Sequence, residues 1–381
     1  MYSYTRAIVV RNFAIAIVNG AITLIILLIA PLGLMAVISN TFLVTVASFF
    51  TATFADGVIR FLQPARSMGE IPLHQGKEVL AEAQIPLLEQ VLIFGKSQVT
   101  TQAIRACLIR NVPIAYLSRM GYCYGRVLPV ERGYRHLSRY QQQLTRVDRL
   151  IVARCLVQAK LKNSRVILQR QARRQSSDVI TFAIQSLNHL MEKVIQAESW
   201  ERLMGLEGAA AAQYFSAFGE CLTNPKFVFT VRSRRPPGNP VNAMLSFGYQ
   251  VLWNHLLSLI ELQGLDPYFG CLHQGTERHA ALASDLIEEF RAPIVDSLVM
   301  YLINRNMIDA NTDFTYHDGG CFLNDSGRIK YLKAFLQRME EKLTTATGEN
   351  QPRWDTLTQQ VKDFKQFVYN PIEGYKPYEI R

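Results

Sequence analysis

No two of the six cysteines, Cys107, Cys123, Cys155, Cys221, Cys271 and Cys321, form a CxxC pair. That excludes the common structural zinc cages and, with no secretory pattern, argues for reduced thiols in the cytosol. Cys271 and His273, two positions apart without a second pair, make a poor soft-metal site. Charge is missing altogether from residues 12–55. About 20 apolar residues span a bilayer, so this run has the length of a helical hairpin, membrane-attached through residues 13–54 and broken near Pro31 and Gly33. Arg6 and Arg11 before it, with Arg60 and Arg66 after it, put both ends on the cytoplasmic side. The run is too long for a signal peptide and shows no small-residue cleavage pattern. Acids are scarce in residues 131–174, where Glu131 and Asp148 face twelve lysines and arginines.

That imbalance is the first positive feature. The 381 residues can hold two domains with substantial cores, and a net charge of +10 favours an anionic partner, either nucleic acid or an acidic membrane surface. After residue 130 the apolar period becomes helical, and a helix so strongly basic repels itself unless phosphates lie against it. The planar fork of arginine suits phosphate, so Arg165, Arg170, Arg173 and Arg174 are candidate DNA contacts; the plain alternative is a solvated basic face. Residues 224–239 are a break rich in proline, arginine and glycine. There Arg232, Arg234 and Arg235 can lie along a DNA strand or belong to an ordinary interhelical loop. Before residue 130, β-rich runs at 79–83, 89–94 and 113–117 read as a small sheet, crossed by a helix capped by Thr100. Helical periodicity predicts further helices over 203–218, 243–263, 328–343 and 360–368, a linker over 344–352, and a disordered tail from Pro371.

Two stretches carry candidate chemistry. In the first, His273 stands on a turn marked by Gly275, and Ser284 reads as the N-cap of a helix whose first turn holds Asp285 and Glu288, three apart. One imidazole and paired carboxylates suit Mg²⁺ or Mn²⁺ acting on phosphates, although two acids at this spacing are more often a solvated face. In the second, Glu207 lies between Gly205 and Gly208, ahead of Ala209, Ala210, Ala211 and Ala212. An acid among small residues on an apolar helix is costly to bury unless a cation balances it; equally, it can sit near a helix start. His255, with no acid one turn away, reads as a satisfied core histidine or a surface residue rather than a ligand, and His279 and His317 lack convincing partners. Asp296 is placed to pair with Arg291.

The ordered motifs Gly-Leu-Glu207-Gly-Ala-Ala-Ala-Ala-Gln-Tyr-Phe, Arg234-Arg-Pro-Pro-Gly-Asn-Pro-Val-Asn-Ala243, Ser246-Phe-Gly-Tyr249, Gly264-Leu-Asp-Pro267 and Asp285-Leu-Ile-Glu-Glu-Phe-Arg291 closely resemble the CRISPR-associated endonuclease and integrase family, the catalytic subunit of spacer acquisition. The resemblance runs from about His74 to near the C-terminus. It implies a metal-dependent DNA endonuclease and integrase whose Mg²⁺ or Mn²⁺ is held by Glu207, His273 and Glu288, with Asp285 supporting. It implies double-stranded DNA as substrate, a homodimer joined through β-domains, a small ferredoxin-like partner subunit and a cytoplasmic location. The expected fold class is α+β: an atypical hydrophobic segment over 1–68, an incomplete N-terminal β-domain over 69–130, and a large α-helical catalytic domain over 131–381. The family opens with polar, strand-forming sequence, so residues 1–68 depart from it. They read as an anchor, a mis-called start, or a segment folded against the sheet, with the mis-called start preferred because lost strands leave open edges. The rival function is a non-catalytic DNA-binding scaffold, membrane-attached or not.

Overall fold

The computed structural model describes residues 15–19, 21–23, 40–49, 51, 70–75, 78–119, 121–130, 136–276, 279–344 and 350–380. Its contacts divide the chain once, after Leu87, inside the stretch expected to form one β-domain.

In the first unit, Met1–Leu87, residues 15–19, 21–23 and 40–49 are helical, and strand β1 (Glu70–Gln75) pairs antiparallel with β2 (Glu78–Gln84). No helix among the described residues is long and apolar enough to cross a membrane. Much of the expected hairpin over 13–54, including residues 24–39 and 52–54, lies outside the described residues.

The second unit, Leu88–Arg381, is mainly helical. It opens with a three-stranded sheet in which β3 (Val91–Phe94) runs parallel to β4 (Ile114–Leu117), and β4 antiparallel to β5 (Cys123–Val127). Parallel neighbours need a crossover, here α1 (Thr101–Ile109), whose first turn is capped by Thr100 accepting from Ala103 N at 3.2 Å. After α2 (His136–Gln143) come three long helices, each started by a hydroxyl cap: α3 (Arg146–Ala172), α4 (Asp178–Ile195) and α5 (Trp200–Glu220). Thr145 and Asp148 form a reciprocal capping box on α3.

Asn239 and Pro240 start the central helix α6 (Pro240–Leu262), which is apolar on nearly every side and buried along most of its length. Packed on it, α7 (Ala281–Leu286) gives way to a 3₁₀ turn (Ile287–Glu289), then a π-helical turn (Arg291–Asp296), then α8 (Ser297–Asn304). The hairpin β6 (Phe314–His317) and β7 (Gly320–Leu323) turns on Asp318 and Gly319, both left-handed. Then follow α9 (Asp325–Glu340), the pair β8 (Lys342–Thr344) and β9 (Asn350–Pro352) where a linker was expected, and α10 (Arg353–Tyr369).

Three further expectations fail here. Ser284 is not a cap: α7 begins at Ala281, and the buried Ser284 hydroxyl accepts from Trp253 Nε1 at 3.1 Å. Asp296 does not pair with Arg291 but takes hydrogen bonds from Tyr214 at 2.9 Å and Tyr249 at 2.5 Å. The tail is not loose: Tyr375 is buried, and Tyr378 stacks on Phe290 with ring centroids 4.9 Å apart.

Candidate active site

The loop between α6 and α7 carries His273 and is tied down from three helices. Gln141 of α2, fully buried, donates to Asp266 O and Phe269 O at 2.9 and 2.8 Å. Arg149 of α3 donates to Gly270 O at 2.9 Å, and Trp200 of α5 to Cys271 O at 2.8 Å. These bonds turn the backbone N–H groups of Cys271, Leu272 and His273 toward Asp285, whose carboxylate accepts all three at 2.5, 2.9 and 2.8 Å. Gly270 must lack a side chain, because a Cβ there would lie 2.8 Å from Asp285 Oδ2.

The same carboxylate holds the imidazole, with His273 Nδ1 2.8 Å from Asp285 Oδ1. An ionised acid accepts only, so the proton sits on Nδ1 and the lone pair on Nε2 is left for a ligand. Burial opposes protonation of His273, but the Asp285 hydrogen bond and charge, aided by Glu288, outweigh it and hold the pKa above the ordinary value. Asp285 thus holds both the backbone and the ring of His273.

Glu207 on α5 and Glu288 on the 3₁₀ turn meet at one ammonium, that of Lys160 on α3. Lys160 Nζ pairs with Glu207 Oε1 and lies 2.6 Å from Glu288 Oε2, and Arg291 Nη2 lies 3.1 Å from Glu288 Oε1. Glu288 is almost wholly buried, which alone would raise its pKa; Arg291, Lys160 and His273 pull it down to about 2, so the carboxylate is ionised. Its sequence neighbour Glu289, buried without a cation, is pushed up to about 8.

The structure thus brings Glu207 to Glu288 and His273 to Asp285, and Glu288 and His273 lie close enough to shift one another's charge. It does not present Glu207, His273 and Glu288 as a ready ligand set: among the described residues no three His, Cys, Asp or Glu are so grouped. The donors nevertheless fit a hard divalent cation. Glu288 Oε2 is buried and accepts no well-directed hydrogen bond, the cationic position beside it is held by an ammonium, and two carboxylates with one imidazole match Mg²⁺ or Mn²⁺ preferences.

His273 and Arg291 line a cleft of about 810 Å³ whose walls include Arg119, Arg126, Arg232, Arg234 and Arg235. Arg232 is committed to the fold, donating to Asn242 Oδ1 at 2.9 Å and Ser246 Oγ at 3.0 Å, whereas Arg234 and Arg235 are exposed. Of the basic residues on α3, Arg165 is half-buried against Asn188, while Arg170, Arg173 and Arg174 are exposed at the helix end, outside the cleft lining. Sequence reasoning missed Lys160 as a carboxylate partner, since it was one cation among twelve. It also passed over His279, whose Nε2 is 3.1 Å from Ser284 Oγ and whose ring lies 6.5 Å from that of His273.

The chain resembles known proteins in sequence and fold. The family model for CRISPR associated protein Cas1 matches residues 65–337. A CRISPR-associated exonuclease Cas4/endonuclease Cas1 fusion of Geobacter sulfurreducens is 37% identical over 276 residues, 70% of this chain and 49% of that protein. The chain spans about half the length of the first curated relatives it matches, both of them such fusions. CRISPR-associated endonuclease Cas1 2 of Rhodospirillum rubrum is 35% identical over 72% of this chain and 79% of its own length. Among solved structures, a casposase bound to integration product shares the fold with a TM-score of 0.69 at 24% identity, over 82% of this chain and 89% of the other.

Proposed function

The chain belongs to the CRISPR-associated Cas1 family, and from that premise we propose that it is a metal-dependent DNA endonuclease and integrase of CRISPR adaptation, inserting short foreign DNA at a repeat. The observation that carries this reading is the meeting of two carboxylates, one from α5 and one from the 3₁₀ turn far along the sequence, at one cationic position, beside an imidazole whose Nδ1 is already taken. Glu207, Glu288 and His273 Nε2 would hold Mg²⁺ or Mn²⁺. Bound there, the cation would supply Lewis acidity toward a phosphodiester.

The chain's own residues do the remaining work. Asp285 fixes the imidazole and keeps its proton on Nδ1. Arg291 neutralises Glu288 and, from the cleft wall, offers positive charge to a phosphorane. Arg234 and Arg235 bind backbone phosphates, with Arg170, Arg173 and Arg174 as a second cluster. The reaction is a transesterification in which a DNA 3′-hydroxyl attacks a phosphodiester at the repeat edge. One P–O bond forms as another breaks, and no external energy is consumed. The partners proposed are double-stranded DNA, a second copy of the chain and a small ferredoxin-like adaptation subunit, in the cytoplasm.

The test is strand transfer of labelled DNA by the full chain. His273→Ala should lower transfer by about a hundredfold or more while DNA retention on a filter barely changes. Chelation should abolish transfer and added Mn²⁺ restore it. Transfer that survives His273→Ala overturns the site.

A further inference from the structure

Residues 375–380 are bound to the turn that carries Glu288. Glu289, fully buried, accepts from the Tyr375 hydroxyl on one oxygen and from the Tyr378 backbone N–H on the other. Asn163 of α3, also fully buried, donates to Glu289 O at 2.7 Å and to Tyr378 O at 3.0 Å, and accepts from Ile380 N at 2.9 Å. Gln360 of α10 holds the other side, donating to the Tyr375 hydroxyl at 2.6 Å and to Lys376 O at 2.9 Å. The Tyr378 ring stacks on Phe290.

A tail of this composition, with Pro, Gly, Lys and Glu among its tyrosines, pays for its ordering only where specific partners compensate. Those partners converge on residues 289 and 290, next to a carboxylate that must stay in one place although its backbone passes from α through 3₁₀ to π geometry within ten residues.

We propose that the C-terminal segment 375–380 is a positioning strap: by clamping Glu289 through Tyr375, Tyr378 and Asn163 it fixes the turn that presents Glu288 to the active site. This rests on the reading of Glu288 as an active-site acid. Glu289 and Tyr375 touch neither DNA nor cation; they act through their neighbour.

The strap is tested on full-length Tyr375→Phe and Glu289→Ala proteins by hydrogen exchange. Amides of residues 286–291 should exchange about tenfold faster, the loss of roughly one buried hydrogen bond, while α3 and α6 keep their protection. Glu289→Gln, which can still accept from Tyr378 N and meet the Tyr375 hydroxyl, should restore most of the protection. In strand transfer the first two variants should lose kcat with KM for DNA unchanged. Unchanged exchange at 286–291, or a loss spread evenly over the whole unit, overturns the strap. Exchange is read without turnover, so inactivity of the native chain would count against the proposed function and leave the strap standing.

Discussion

His255 shows how one buried side chain sets a pH dependence. Gln90 donates its amide to Ser258 Oγ at 2.5 Å, so its carbonyl is the group facing His255 Nδ1 at 2.9 Å, and the imidazole proton sits on Nδ1. Nε2 is buried without a hydrogen bond, and burial lowers the pKa to about 4. In the unfolded chain the ring titrates near its ordinary 6.5. Between those values the unfolded state takes up a proton that the folded state refuses, so stability falls as pH drops through that window, by up to about 3 kcal/mol. His255→Gln keeps a donor for Gln90 and cannot titrate. Its melting temperature should therefore fall less than the native chain's between pH 7 and pH 5; an equal fall would place the acid sensitivity elsewhere. That His255 is no ligand was the sequence reading, because no acid stood one turn away, but sequence left core and surface both open and burial decides for the core. The partnership of Glu207 with Glu288 was not legible in the sequence: spacing favoured a solvated face for Glu288 and left Glu207 evenly placed between a helix start and a ligand, and only the order of whole motifs singled them out. Lys160 was illegible for a related reason, since nothing local separates the lysine that meets two acids from its basic neighbours.

At the level of elements, two helix glycines make opposite demands. In α6 a Cβ on Gly248 would lie 1.9 Å from the Tyr331 hydroxyl and 2.7 Å from Val295 Cγ1, both in buried residues, so α6 and α9 approach closely only because the side chain is absent. Gly248→Ala should cost about 1–3 kcal/mol or more through overpacking. In α5 a Cβ on Gly205 would meet nothing within 4 Å, and Gly205→Ala should add roughly 0.5–1 kcal/mol through helix propensity. Thermal unfolding of the two variants checks the signs: if both shift the same way, contact at α6 is not what requires Gly248. Regular elements were readable from periodicity and, at Thr100, from the cap; the start of α6 was not, since the helix was expected from residue 243 and begins at Pro240, capped by Asn239. The failures lie where a tertiary partner outbid a local signal. Ser284 has the chemistry of a cap, but its hydroxyl is taken by Trp253 and His279, and the tail has the composition of a loop, but Glu289 and Asn163 capture it from far along the sequence.

For the molecule as a whole, composition gave the sign of the charge without saying which cations meet DNA. The structure separates the arginines by what else they do: Arg232 is spent on Asn242 and Ser246, Arg165 on Asn188, and Arg234 and Arg235 stand exposed on the wall of the cleft that contains His273. Each phosphate neutralised by such a residue releases counterions, so the slope of log affinity against log salt counts the contacts made. Replacing Arg234 and Arg235 together by alanine should reduce the magnitude of that slope by about 2, one for each phosphate contact, and weaken binding alike across DNA sequences. Arg173→Ala with Arg174→Ala at the end of α3 tests the second cluster by the same measure. Equal reductions would mean that DNA lies against both surfaces at once. A reduction confined to the cleft pair would leave the α3 end as a solvated basic face. If the slope stays put for the cleft pair and moves for the other, the duplex does not run past His273, and the chemistry proposed for Glu207 and Glu288 would have no substrate within reach.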